Sequence, residues 1–277
     1  MTMVIAIGGL GGSGTRVIAE LFIKSGIYFG DWTRETNDNI AFSALFRGTA
    51  VKTDEQASLI QKKIALFIKY MERDHLSFSE ALSYLNLSKE AAFFRSANIS
   101  KKHIFGKVLS KPKQRPLWGW KEPNTHLYLE SLFSMISGLK YIHVLRHGLD
   151  MAFSKNKSQL NNFGSYYDLS VTGNETSDQL TYLQLEYWIR STEAFFESQN
   201  QQKKETYLLN YNELCAESSN NIKRLMKFCD VSITCQELNF LANLPKETVS
   251  NKRYIKYDLG IFDQRQIDFV TQMGFEV

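Results

Sequence analysis

The run Met3-Val4-Ile5-Ala6-Ile7-Gly8-Gly9-Leu10-Gly11-Gly12-Ser13-Gly14-Thr15-Arg16 sets the architecture of this chain. Five consecutive apolar residues bounded by glycines predict a short strand buried on both faces. The glycines predict a tight turn. From Thr15 to about Ser25 the apolar residues return at helical spacing. A strand that turns sharply into a helix exposes unpaired backbone N–H groups and the positive end of the helix dipole. That arrangement binds anions.

A second segment repeats the pattern. Tyr141-Ile142-His143-Val144-Leu145 runs into Arg146, with Asp150 and Ser154 following. Arg146 at a strand end is a planar, permanently charged fork suited to phosphate oxygens. One site suits a diphosphate-like group and the other an isolated phosphate, so the inferred ligand carries both.

Bulk properties fit this. The chain has 277 residues, 43% hydrophobic and 22% charged, with a net charge of +4. That is ordinary for a globular protein and too mild to imply nucleic-acid binding. Lys101-Lys102 and Lys111/Lys113/Arg115 read as solvated loop charges. Cys215, Cys229 and Cys235 show no CxxC spacing and read as reduced thiols of a cytoplasmic protein. No signal peptide or membrane span is expected, because no apolar stretch is long enough. The five histidines lack metal-ligand spacing, so no metal is expected.

The remaining chain alternates strand and helix. Residues 27–29 suggest a short strand and Gly30 to Gly48 a polar, aromatic loop. Residues 54–95 carry helical periodicity through Leu59, Ile60, Ile64, Phe67, Ile68 and Met71. A strand ends at Lys121, and residues 159–178 look irregular. Residues 179–199 are expected to be helical, 206–211 a strand and 219–229 a helix. The fold class is therefore α/β: a central parallel sheet flanked by helices.

Three templates compete for the glycine loop. Gly9 and Gly14 have the spacing of GxxxxGK[ST], but Thr15 stands where that motif needs Lys. Gly9-Leu10-Gly11-Gly12-Ser13-Gly14 satisfies GxGxxG, and Asp31 lies near the distance of a ribose-binding acid, which would make the chain a nicotinamide-dependent oxidoreductase. That template needs alternating strands where the next 70 residues look helical. For the third, Ser13-Gly14-Thr15-Arg16 resembles the 5′-phosphosulfate loop of the sulfotransferase family, which uses 3′-phosphoadenylyl sulfate. Gly12 departs from the Lys or Arg usual there, and Arg16 is the candidate replacement.

The resemblance continues in order along the chain. Arg146 through Ser154 is similar to the family's 3′-phosphate motif, with Arg and Ser eight apart, although His147 and Leu149 replace an Asp and an Arg. Gly119-Trp120-Lys121-Glu122-Pro123 resembles the segment beside the reacting sulfuryl group, and Leu209-Asn210-Tyr211-Asn212-Glu213-Leu214 the strand end near the adenine. The resemblance implies a P-loop-NTPase-like sulfotransferase fold, one domain over 1–277 with a helical acceptor-side insertion at about 50–117. It implies 3′-phosphoadenylyl sulfate as donor and 3′,5′-diphosphoadenosine as product. It assigns Gly11, Gly12, Ser13, Gly14, Thr15, Arg16, Arg146, Ser154 and Tyr211 to the nucleotide, and Lys121 to the departing bridge oxygen. A carboxylate is expected to take the acceptor's proton: Asp31 first, then Glu35 and Glu122, with His126 as a further candidate on a helix surface. The acceptor is expected to be a saccharide or glycolipid hydroxyl, or an amine; small phenols and alcohols stay open. A nucleotide-binding module without catalysis would keep both phosphate elements and have no use for Lys121.

Overall fold

A computed structural model of the chain describes residues 2–46, 54–88, 97–201, 205–247 and 251–277. Its centre is a four-stranded, wholly parallel sheet in the order β2-β1-β3-β4. The strands are β1 (Met3–Gly9), β2 (Leu117–Lys121), β3 (Leu139–Leu145) and β4 (Thr206–Asn210). β1 pairs on one side with β2 (Ile7 beside Lys121) and on the other with β3 (Ala6 beside Tyr141). The continuous apolar run of β1 follows from this position. Val4 and Ala6 pack into one core, Ile5 and Ile7 into the other, so both faces demand apolar side chains.

Helix α1 (Thr15–Lys24) follows the glycine turn and covers one face with Ile18, Leu21 and Phe22. The same face carries α10 (Tyr211–Ala216), α11 (Ser218–Phe228) and α12 (Cys235–Leu241). The opposite face carries α2 (Ile40–Phe46), α3 (Asp54–Ile68), α4 (Phe78–Ser88), α5 (Ala97–Leu109), α6 (Leu129–Met135), α7 (Gly148–Ala152), α8 (Ser158–Phe163) and α9 (Ser177–Gln201). Helix α13 (Gln264–Gln272) packs on α9.

Several elements differ from the sequence expectation. The 30–48 loop contains α2, whose start is capped by Asn39 Oδ1 accepting from Phe42 N at 2.9 Å. Ala41, Phe42, Ala44, Leu45 and Phe46 are all buried, so no amphipathic period marks the helix. The end of that loop, 47–48, lies outside the described residues. The 54–95 stretch is not continuous: α3 runs into a π-helical turn at Lys69–Arg73, and Asp74 at φ 55° breaks it. Its last residues, 89–95, lie outside the described ones. Tyr28 makes a single parallel bridge to Trp118 instead of a strand. Residues 159–178 contain α8 and a 3₁₀ turn at Gly164–Tyr167, pieces too short to carry a period. Arg115 is not a solvated loop charge. It donates to Asp74 at 3.0 Å and lies 3.8 Å over the Tyr28 ring.

Candidate functional site: a cavity at the carboxyl ends of the strands

The strands deliver their chemistry at one edge. The glycine loop leaves β1, Lys121 ends β2, Arg146 follows β3 and Tyr211 follows β4. The chain moves from one side of β1 to the other between β2 and β3, and in open parallel sheets that switch leaves a crevice outside the strand ends. A cavity of about 480 Å³ lies there, lined by Gly11, Gly12, Gly14, Thr15, Arg16, Lys121, Glu122, Arg146 and Tyr211 among others. The two anion elements, 130 residues apart in sequence, thus share one wall.

The loop is built for close approach. Gly12 (φ 99°) and Gly14 (φ 103°) are left-handed, a conformation that favours glycine. A Cβ on Gly14 would fall 2.2 Å from the Tyr211 ring, so the β4 end locks against the start of α1. Among the described residues no side chain caps α1, and the buried Ser13 hydroxyl has no hydrogen-bond partner. Gly11 N–H donates to Gln159 Oε1, and Gln159 Nε2 donates to Asn124 Oδ1 at 2.8 Å. An uncapped helix start with an orphaned hydroxyl, flanked by exposed Arg16, fits an anionic phosphosulfate group.

Arg146 reaches across the cleft. Its Nη1 donates to Gly12 O at 3.1 Å and its Nη2 to Asn251 Oδ1 at 2.6 Å. Asp150 accepts the backbone N–H groups of Lys252 (3.0 Å) and Arg253 (2.8 Å) and lies 3.9 Å from Arg146. The buried Asp150 therefore anchors the 251–254 segment beside Arg146, placing Asn251 and the basic pair next to this anion element. Ser154 is not brought to the cavity wall. Helix α7 ends at Ala152, whose carbonyl accepts from Lys157 Nζ, and Ser154 Oγ accepts from Asn156 N at 3.2 Å. The two-turn helix needed to aim Ser154 at Arg146 is not formed.

Lys121 is buried, and its ammonium donates to Thr36 O at 3.0 Å and to the Asp38 carboxylate. Glu122 accepts from Asn124 N (2.7 Å) and Asn124 Nδ2 (3.1 Å), capping the 3₁₀ turn Pro123–Tyr128. Burial pushes Glu122 up to about 7, and the charge of Asp38 adds to the rise.

The other base candidates lie elsewhere. Asp31 faces Lys107 Nζ at 2.7 Å and accepts from Tyr70 OH at 3.2 Å, half exposed and off the cavity wall. Burial raises its carboxyl, but the hydrogen bond and charge of Lys107 outweigh that and hold it below the usual range. Its distance from the glycine loop in sequence suggested a ligand contact; the cation that claims it comes from α5, which no local pattern announces. Glu35 is exposed and off the cavity wall, while its neighbours Arg34 and Thr36 line it. His126 is buried, not on a helix surface: its Nδ1 faces Pro123 O at 2.9 Å, and burial lowers it to about 4. His143 sits in the core, 3.0 Å from Tyr141 OH.

Sequence reasoning missed Arg34, Thr36, Asp38, Asn124 and Gln159 on the wall. No periodic signal marked Arg34, Thr36 and Asp38: Arg34 and Asp38 meet across a tight turn, Arg34 N–H donating to Asp38 O at 3.0 Å, and Thr36 sits within it. Among the described residues no His/Cys/Asp/Glu group is arranged to hold a metal, and no helix is long and apolar enough to cross a membrane.

A parallel α/β sheet whose first strand runs through a glycine loop into a helix, with cations on the neighbouring strand ends, defines a P-loop-like α/β fold. The chain belongs to the Sulfotransferase family, whose model matches residues 5–234. Solved structures agree on the fold. The sulfotransferase domain of the Synechococcus PCC 7002 olefin synthase superposes with a TM-score of 0.53 at 10% identity, covering 100% of this chain and 96% of that one. The sulfotransferase domain from the curacin biosynthetic pathway gives 0.50 at 12%, covering 100% and 98%. Sulfotransferase STF1 of Mycobacterium tuberculosis H37Rv gives 0.50 at 12%, covering 98% and 77%. No curated protein matches the chain significantly.

Proposed function

We propose that the chain transfers a sulfuryl group from 3′-phosphoadenylyl sulfate to a hydroxyl of a saccharide or glycolipid acceptor. The observation that carries this is the single cavity lined by the glycine loop, Lys121, Arg146 and Tyr211 together. The amides of Gly12 to Thr15 and the Arg16 cation receive the 5′-phosphosulfate, with Ser13 behind them. Arg146 and Asn251 receive the 3′-phosphate, and the Tyr211 ring flanks the adenine. When bound, the donor supplies an activated sulfuryl group. Lys121 neutralises charge on the oxygen that departs as the sulfur–oxygen bond breaks. Glu122, ionised on the alkaline side of about 7, takes the proton that the acceptor hydroxyl loses as the new bond forms.

Asn124, Asn156, Ser158, Gln159 and Asn162 line the cavity with Phe163, a wall of four amides, a hydroxyl and a ring. Such a wall suits an acceptor with many hydroxyls. Three free thiols fit a reducing cytoplasm.

Calorimetry with 3′,5′-diphosphoadenosine tests the donor assignment. The wild-type chain binds it, and Arg146→Ala loses about tenfold or more in affinity, as removal of a charge-assisted phosphate contact does. Equal affinity in the two proteins eliminates Arg146 from the phosphate site.

A further inference from the structure

The cavity contains an anion that the transfer scheme does not use. Asp38 belongs to a hairpin, residues 33–39, closed by an antiparallel bridge between Thr33 and Asn39 and a turn in which Asn37 N–H donates to Arg34 O at 2.9 Å. The hairpin is fastened at both sides of the cavity. Asn39 N–H donates to Lys121 O at 2.8 Å, at the end of β2, and Asn37 Nδ2 donates to Arg16 O at 3.4 Å, at the start of α1. Arg34, Thr36 and Asp38 all line the cavity. Thr36 Oγ1 donates to Asp38 Oδ2 at 2.7 Å, which orients the carboxylate, and the other oxygen accepts from Lys121 Nζ.

We propose that Asp38 is a positioning residue of this site: its carboxylate holds the Lys121 ammonium at the strand end and competes for it with the anionic donor. This rests on the donor assignment above. A donor anion near Lys121 meets the Asp38 charge as a like charge, so Asp38 weakens donor binding while it keeps Lys121 aimed. The same carboxylate acts on Glu122, the residue next to Lys121, and disfavours its ionised form. The other groups facing Glu122 are Lys121 on its own strand, Asn124 and Tyr128 from the 3₁₀ turn, Tyr141 from β3 and Tyr187 from α9. Arg16, Arg34 and Arg146 share the cavity wall. Of these, Asp38 is the carboxylate that raises Glu122.

The isosteric variant Asp38→Asn tests this with two readouts. Calorimetry at low salt shows 3′,5′-diphosphoadenosine bound about threefold or more tightly, because a like charge has gone. The acid limb of kcat/KM, which reports the free enzyme's base, moves down by about half a pH unit or more as Glu122 ionises more easily. Asp38→Glu restores the charge and returns both values toward wild type. An unchanged or weaker nucleotide affinity in Asp38→Asn overturns the proposal, as does an acid limb that stays in place. Absence of nucleotide binding by the wild-type chain is a separate result: it removes the donor assignment, and the role of Asp38 falls with it.

Discussion

In the proposed scheme the chemistry concentrates on Lys121, because a parallel strand ends where its side chain lines the shared cavity. Its buried stem and two acceptors, Thr36 O and Asp38, hold it in place. Replacing it with alanine removes a donor that is stronger in the transition state than in the ground state. Turnover of Lys121→Ala falls about a hundredfold or more, while 3′,5′-diphosphoadenosine affinity falls far less, by about tenfold at most, as the Asp38 carboxylate loses its cation. Steady-state sulfuryl transfer measured alongside calorimetry checks both halves, and near-normal turnover takes Lys121 out of the scheme. Glu122 is the complementary case. An ordinary surface carboxylate would be ionised well below neutral pH, whereas burial at the strand end keeps this one titrating near 7.

Among the helices, α5 supplies the clearest structural commitment. Lys107 is buried between Asp31 and Asp74, and Arg115 completes the network on Asp74. The cluster ties α5 to the segment after β1's helix and to the π-helical end of α3. Burial raises the Asp74 carboxyl, yet the bonds and charges of Lys107 and Arg115 prevail and keep it ionised. Lys107→Ala leaves the buried Asp74 to Arg115 and strips the half-exposed Asp31 of its cation, and costs about 2 kcal/mol of stability by chemical denaturation. Asp31→Asn removes one arm and lowers stability by less, with kcat unchanged. A large kcat loss in Asp31→Asn, in a protein of normal stability, would return Asp31 to the list of bases.

The arrangement of the sheet gathers the glycine loop, Lys121, Arg146 and Tyr211 around one cavity, so a nucleotide bound there as proposed stabilises the folded chain as a unit. At a hundredfold excess over its Kd such a ligand adds about 3 kcal/mol to folding. A thermal-shift series therefore raises Tm by several degrees with 3′,5′-diphosphoadenosine and leaves it in place with NAD, NADP or ATP. A shift with NAD alone would favour the dinucleotide template instead.

The α/β class, the glycine turn and the cations at strand ends were legible because each is local: a buried strand needs apolar residues on both faces, and a sharp turn needs glycine. Helix α2 was hidden because a helix buried all round has no amphipathic period, and α8 because it is too short to show one. Asp31 and Asp38 are both acids of one polar stretch, seven residues apart and alike on paper. One is claimed by Lys107 and the other by Lys121, and that choice depends on which distant cation the packed sheet and helices bring within 3 Å. Sequence spacing placed the glycine turn and the cations at the strand ends. Only packing between remote segments determined which carboxylate meets which cation, since burial and long-range charge set ionisation and neither can be read along the chain.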